Sequence, residues 1–261
     1  MGAGSGVRAM SALFRASTCR GWEGSSVVLI GEYGEMTMII AEISGNHGGD
    51  LNKAFDLIRA AARCGCDAVK FQLYKPQDLN DPANNEDYEK YHVPEAWLEN
   101  MFYEAELAGV PLFASVFAPW AVEALEAFGA FAYKIASPES TRLPEQTYRE
   151  LAAAIRRTDA ELFVSTGFPD LGTMASLNPD VLFYCQSGYP AKITDAHLQL
   201  MRRLRGGFSD HSAGVEWPLA MIAAGATHIE KHFKLDNDCV DWRFSLDPEQ
   251  MKLLCDLAHS S

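Results

Sequence analysis

With 261 residues, 48% of them hydrophobic and 22% charged, the chain has the size and composition of an ordinary globular domain. A formal net charge of -13 argues against nucleic acid or an anionic membrane surface as a partner. It leaves room for a small anionic ligand wherever lysines gather locally.

No run approaches the roughly 20 apolar residues of a membrane-spanning helix, so no membrane partner is expected. Cysteines 19, 64, 66, 185, 239 and 255 show no CxxC spacing. They read as free thiols in a reducing, cytoplasmic compartment rather than as a disulfide framework or a thiolate zinc site. Residues 1–25 mix Gly, Ser, Ala and Arg without a long apolar core and read as a flexible N-terminal extension. Residues 26–261 then form one domain. Its first feature is a hairpin built from VVLI and MTMII around Gly31 and Gly34.

From there strands and helices alternate. A buried strand over 38–43 ends in Ala41-Glu42-Ile43, and the loop Ser-Gly-Asn-His-Gly-Gly follows. Asp50 caps a helix with apolar positions at Leu51, Phe55, Ile58 and Ala62, stopped by Gly65. Strand two covers 68–73, and the long polar stretch 75–94 behind it is a candidate lid. A helix near 95–108 leads to strand three at 111–117. Pro119 opens the next helix, which ends at Gly129. Strands at 131–135, 161–165, 181–185, 207–209 and 227–230 follow, separated by helices at 144–157, at a short segment after strand five, at 196–204 and near 215–224. Asp247 before Pro248 sets the last helix. Parallel strands need crossover helices, and eight such units in one domain predict a closed (β/α)8 TIM barrel. The runner-up is an open doubly wound sheet, but no G-x-G-x-x-G follows the first strand.

In such a barrel the active site forms at the C-terminal strand ends. Those ends carry Glu42; Lys70 with Gln72; Ser115; Lys134 with Ser137; Ser165 with Thr166; Ser187 with Tyr189; Ser209, Asp210 and His211; and Glu230, Lys231 and His232. A lone strand-end Ser is most often a cap, and a lone Lys usually snorkels. Agreement of all eight ends on polar groups is what points to a site. Two lysines among hydroxyls in an acidic protein suit a phosphorylated or carboxylated anion. His211 and His232, from adjacent strands, can both aim at one divalent ion, with Glu42 and Asp241 as hard oxygen donors favouring Mn²⁺ or Mg²⁺. Alternation along the strand puts Glu230 on the face of His232 and turns Lys231 outward, into packing or an ion pair.

The segments IIAEISGNHGG, CDAVKFQ, YKIASPE, STG, SDH and IEKHFKLD, in this order over about 38–247, resemble the sialic acid synthase (NeuB-like) family, including its pseudaminic acid synthase branch. The resemblance implies condensation of phosphoenolpyruvate with an N-acylated amino sugar to a nonulosonic acid, with release of phosphate. Lys70, Lys134, Ser137, Ser165 and Ser209 match positions that hold phosphoenolpyruvate, and Ser115 stands where the family usually has Thr. His211 and His232 match the two ligands of a divalent metal, Mn²⁺ or Mg²⁺. Glu42, Glu139, Gln72 and Asp241 match positions that bind the sugar or move protons, with Glu42, Glu139 and Asp241 as candidate catalytic groups. Ser187 and Tyr189 fall in the matching sugar-binding segment.

The chain also departs from the family pattern. Family members usually continue into a C-terminal antifreeze-like domain that reaches across a dimer, so a homodimer or a partner supplying that contact is expected. Tyr184 replaces a His, Val240-Asp241-Trp242 replaces a PDH segment, and Ala118 replaces an acidic residue. These changes fall on the sugar side and imply a changed acceptor. Two other readings stay open: a catalytically silent barrel serving as a binding or scaffold protein, and a Schiff-base aldolase with Lys134 as its amine nucleophile.

Overall fold

The computed structural model describes residues 36–79, 85–167 and 169–260. The expected extension over 1–25 and most of the expected hairpin lie outside them. Eight parallel strands close into a barrel in sequence order: β1 Met38–Glu42, β2 Ala68–Leu73, β3 Leu112–Val116, β4 Ala132–Ile135, β5 Glu161–Thr166, β6 Val181–Cys185, β7 Gly207–Asp210 and β8 His228–His232. Closure is made by β1 against β8, with Met38 opposite His228 and Glu42 opposite His232.

The helices are α1 Leu51–Cys64, α2 Asn85–Tyr91, α3 Leu98–Ala108, α4 Pro119–Glu126, α5 Pro138–Thr141, α6 Glu145–Ile155, α7 Leu171–Ala175, α8 Asp195–Leu204, α9 Glu216–Ala223 and α10 Pro248–Ala258. Their ends follow local chemistry. The Asp50 carboxylate accepts from the Asn52 N–H at 2.8 Å, satisfying one of the orphan donors of α1. Gly65 closes α1 at φ 88°, a left-handed conformation that costs glycine little. A reciprocal box between Asp247 and Gln250 starts α10.

The expected strands and long helices are present, with boundaries moved by at most three residues. The largest shift in a strand is β8, which runs on to His232 because its backbone keeps pairing with Glu42. The helix expected over 95–108 begins as a 3-10 turn, Glu95–Trp97, before α3. The polar stretch 75–94 is not a bare loop: it holds a 3-10 turn at Pro76–Asp78 and helix α2.

Side chains alternate strictly across the barrel wall. Outward residues such as Ile39, Val69, Leu162 and Ile229 pack against the helices in one large core. Inward residues Met38, Ile40, Ala68, Phe113, Ala132, Phe163 and Phe183 form a separate plug at the barrel floor. Phe113 and Phe163 meet edge to face with ring centroids 5.8 Å apart, and Phe163 meets Phe183 at 5.4 Å. Among the described residues no helix is long and apolar enough to cross a membrane.

Candidate active site

Two residues further along the same inward faces, the barrel interior turns polar. Ile40 is followed by Glu42, Ala68 by Lys70, Phe113 by Ser115, Ala132 by Lys134 and Phe163 by Ser165. Strand register brings these groups level: Glu42 pairs with Lys70 and with His232, and Ser115 with Lys134. Lys70 and Lys134 are each only 2% exposed. Such burial is tolerable only with partners. Lys70 forms a close ion pair with the Glu42 carboxylate, donates to Ser115 Oγ at 2.7 Å, and lies 3.7 Å from Glu230 Oε2. Lys134 donates to the same Glu230 oxygen at 2.7 Å and to Ser209 Oγ at 2.6 Å, with Ser165 Oγ 3.2 Å beyond. Its ammonium also sits 4.3 Å from the centre of the Phe183 ring, on the upper side of the floor plug.

Two carboxylates and two amines therefore alternate around one small ring. Burial pulls each lysine toward neutrality. For Lys70 it is outweighed by Glu230 and Glu42, and its pKa rises. Lys134 has one carboxylate and is repelled by Lys70, so burial wins and its pKa falls. Burial raises Glu42, against the pull of Lys70. Glu230 is also opposed by burial, but Lys134 and Lys70 together hold it down at about 2.

Beside this ring stand the two histidines. Their ring centroids are 5.2 Å apart, and Phe244 packs against both, at 5.9 Å from His211 and 4.8 Å from His232. His211 Nδ1 lies 3.2 Å from the Gln186 carbonyl, which can only accept, so the proton is on Nδ1 and the Nε2 lone pair is available. Burial and the neighbouring His232 push the His211 pKa down to about 3, keeping the ring neutral, as a metal ligand must be. His232 Nδ1 is 3.0 Å from Asp241 Oδ2, but poorly aligned, and both atoms lack a hydrogen bond despite being buried. These orphaned donor atoms, with the free lone pair of His211, fit a divalent cation. Among the described residues no three His, Cys, Asp or Glu side chains gather into a protein-only cage.

The remaining expected residues fall into three places. Ser137 and Ser187 contact each other at 3.1 Å, with Ser140 Oγ 3.1 Å from Ser137. Tyr189, half exposed, leans over His211 with ring centroids 4.5 Å apart. Gln72 donates to Ser44 Oγ at 3.2 Å, on the β1 side of the mouth. Glu139, on α5, stands apart from the lysine ring. Its carboxylate packs so tightly on Gly167 that a Cβ there would lie 2.0 Å from Oε1, and neither oxygen has a hydrogen-bond partner. It lines an open pocket of about 260 Å³ with Gly167, Cys185, Gln186 and Ser187.

Lys231 does turn outward. Fully buried, it donates to Asp210 and to the Ser212 carbonyl behind the barrel wall, so Asp210 is occupied there as well. Sequence reasoning missed the part played by Phe244 and Asn46. Asn46 donates to the Phe233 carbonyl at 2.8 Å and accepts from the Asp241 N–H at 3.0 Å, fixing the loop that carries Asp241. The Asn-His step after β1 was the available signal for Asn46; nothing local marks Phe244.

Comparison with known proteins identifies the family and supports the fold. A sequence model of the NeuB family matches residues 57–260. Pseudaminic acid synthase from Campylobacter jejuni is 34% identical over 251 residues, covering 84% of this chain and 71% of that protein. N,N'-diacetyllegionaminic acid synthase from the same species is 32% identical over 254 residues, covering 84% and 74%. Among solved structures, N-acetylneuraminic acid synthetase from Leptospira borgpetersenii, in complex with citrate, superposes with a TM-score of 0.76 at 26% identity, covering 86% of this chain and 83% of that one. The chain belongs to the NeuB family and is an enzyme of the C–C bond-forming synthase type.

Proposed function

We propose that the chain condenses phosphoenolpyruvate with an N-acylated amino sugar, assisted by Mn²⁺ or Mg²⁺, to give a nonulosonic acid and inorganic phosphate. The observation that carries this reading is the pair of buried lysines, Lys70 and Lys134, converging with Ser115, Ser165 and Ser209 in one barrel mouth. That set suits a ligand bearing both a phosphate and a carboxylate. The new bond joins the enol carbon to the acceptor's aldehyde carbon. Water adds to the neighbouring carbon, and phosphate leaves with its bridging oxygen as that C–O bond breaks.

In this scheme Lys70, Lys134 and the three hydroxyls, with Ser137, hold the phosphoenolpyruvate. Glu42 and Asp241 face the reacting region from β1 and the β8 loop and are suited to move protons. Glu139, with both oxygens unpartnered, is suited to accept hydrogen bonds from the sugar; Gln72, Ser187 and Tyr189 line the acceptor side. His211 and His232 would hold the divalent ion, which would supply Lewis-acid polarisation of the acceptor's carbonyl oxygen when bound. The lowered pKa of Lys134 favours a second reading, a Schiff-base lyase. Against it, Glu230 at 2.7 Å and Ser209 at 2.6 Å hold that nitrogen as a hydrogen-bond donor.

The test is to incubate the full chain with phosphoenolpyruvate, Mn²⁺ and a panel of N-acylated hexosamines, reading phosphate release and product mass. Phosphate should appear only with an acceptor and should stop with chelator. H232A should abolish turnover while leaving the thermal melt unchanged. Absence of phosphate release with every acceptor, together with no calorimetric binding of phosphoenolpyruvate, would sink the reading. Borohydride trapping of a pyruvate adduct on Lys134, insensitive to chelator, would replace it with the lyase.

A further inference from the structure

The lysine ring poses a problem of charge. An anionic substrate needs the positive charge of Lys70 and Lys134, yet both are already neutralised from within. Of the two carboxylates responsible, Glu42 has other ties: the Ser44 N–H donates to its Oε1, and it sits beside His232 across the β1–β8 pairing. Glu230 is different. One of its oxygens serves both lysines, at 2.7 Å from Lys134 and 3.7 Å from Lys70. It reaches them because β8 places it one residue-pair below His232 on the inward face, opposite Ser209. Its side chain is buried, so water does little to screen it.

We propose that Glu230 is a resident counter-anion: a positioning residue that holds both ammonium groups at the spacing a phosphate-bearing substrate needs and competes with that substrate, and with product phosphate, for them. The inference rests on the reading that phosphoenolpyruvate binds at these lysines. Two effects follow from one carboxylate. Before binding, it prevents two like charges from splaying apart or losing their protons in a buried place. After the reaction, it keeps inorganic phosphate from being held too well, because a fixed negative charge a few ångströms from the phosphate opposes its retention. The substrate's affinity is lowered in exchange for faster release of the product.

A purely structural role for Glu230 predicts that removing it weakens everything. A competing anion predicts a split. In E230Q, which keeps shape and hydrogen bonding but not charge, calorimetry should show inorganic phosphate and phosphoenolpyruvate binding tighter by about tenfold or more. KM for phosphoenolpyruvate and kcat should both fall, and a pre-steady-state burst of product should appear as phosphate release becomes limiting. E230D, whose carboxylate retreats from both lysines, should show the same direction with a smaller factor, and serves if E230Q fails to fold. Unchanged or weaker phosphate binding in the folded variants would overturn the proposal. If the unaltered protein binds neither phosphate nor phosphoenolpyruvate, the substrate reading itself fails, a separable result.

Discussion

The floor and the mouth of this barrel are built from the same strands, the same inward faces, and positions only two residues apart. At the floor, Ile40, Phe113, Phe163 and Phe183 exclude water, and the three rings pack in series, Phe163 edge to face with Phe113 and tilted against Phe183. At the mouth, Glu42, Ser115, Ser165 and Cys185 occupy the next inward positions, and the interior becomes a ring of paired charges and hydroxyls. A fully buried Phe contributes about 1.5–3 kcal/mol by leaving water, whereas a buried ion pair roughly balances its Coulomb gain against desolvation. The lower layer therefore supplies stability, and the upper layer is held in place by it. Lys134 joins the two: its nitrogen lies over the Phe183 ring while its hydrogen bonds point into the mouth.

This division can be broken from either side. The largest expected effect is at the mouth. K134M should reduce turnover by about 100-fold or more, as loss of a fixed charge on a reacting anion does, measured as phosphate release at saturating phosphoenolpyruvate. Its thermal midpoint should fall far less than the activity does, since Glu230 keeps Lys70 as a partner. At the floor, F163A should do the reverse, costing about 3–5 kcal/mol in a urea melt. Phosphoenolpyruvate affinity in the folded fraction should stay within a few-fold of normal. If F163A loses affinity as steeply as stability, the layers are not separable and the comparison fails.

Much of this was legible because the barrel repeats one grammar eight times. Apolar strands ending in Lys-Phe-Gln, Lys-Ile-Ala-Ser, Ser-Asp-His and Glu-Lys-His announce both the fold and the side of it that does chemistry. Alternation along β8 was enough to send Lys231 behind the wall, where it meets Asp210. What stayed hidden depends on contacts across long stretches of chain. Helix α2 has no apolar stripe, and its residues are mostly exposed; it is anchored by Tyr88 on Tyr74, ring centroids 5.9 Å apart, and by Tyr91 against Gly45. The close approach of Glu139 to Gly167 and the packing of Phe244 on both histidines have no local signature. The sharing of Glu230 between two lysines needs three strands in register before it exists.

The smallest effect lies outside both layers. His47, in the loop after β1, is fully buried, accepts from the Gly49 N–H at 3.1 Å through Nδ1, and meets Trp97 edge to face at 5.6 Å. Burial pushes its pKa down to about 4 from an ordinary 6.5. The unfolded chain therefore binds a proton on this ring below about pH 6.5, while the folded chain stays neutral until about pH 4. Folding is favoured in full above the unfolded value, and stability drains away as pH falls between the two, by at most about 3 kcal/mol. Urea midpoints measured from pH 7.5 to 4.5 should decline accordingly. In H47L the decline over that window should be shallower, whatever the variant's stability at pH 7.5. An equal slope would mean that the acid sensitivity belongs to the other histidines that burial holds neutral, His228 against the floor rings and His211 at the mouth, and not to this loop.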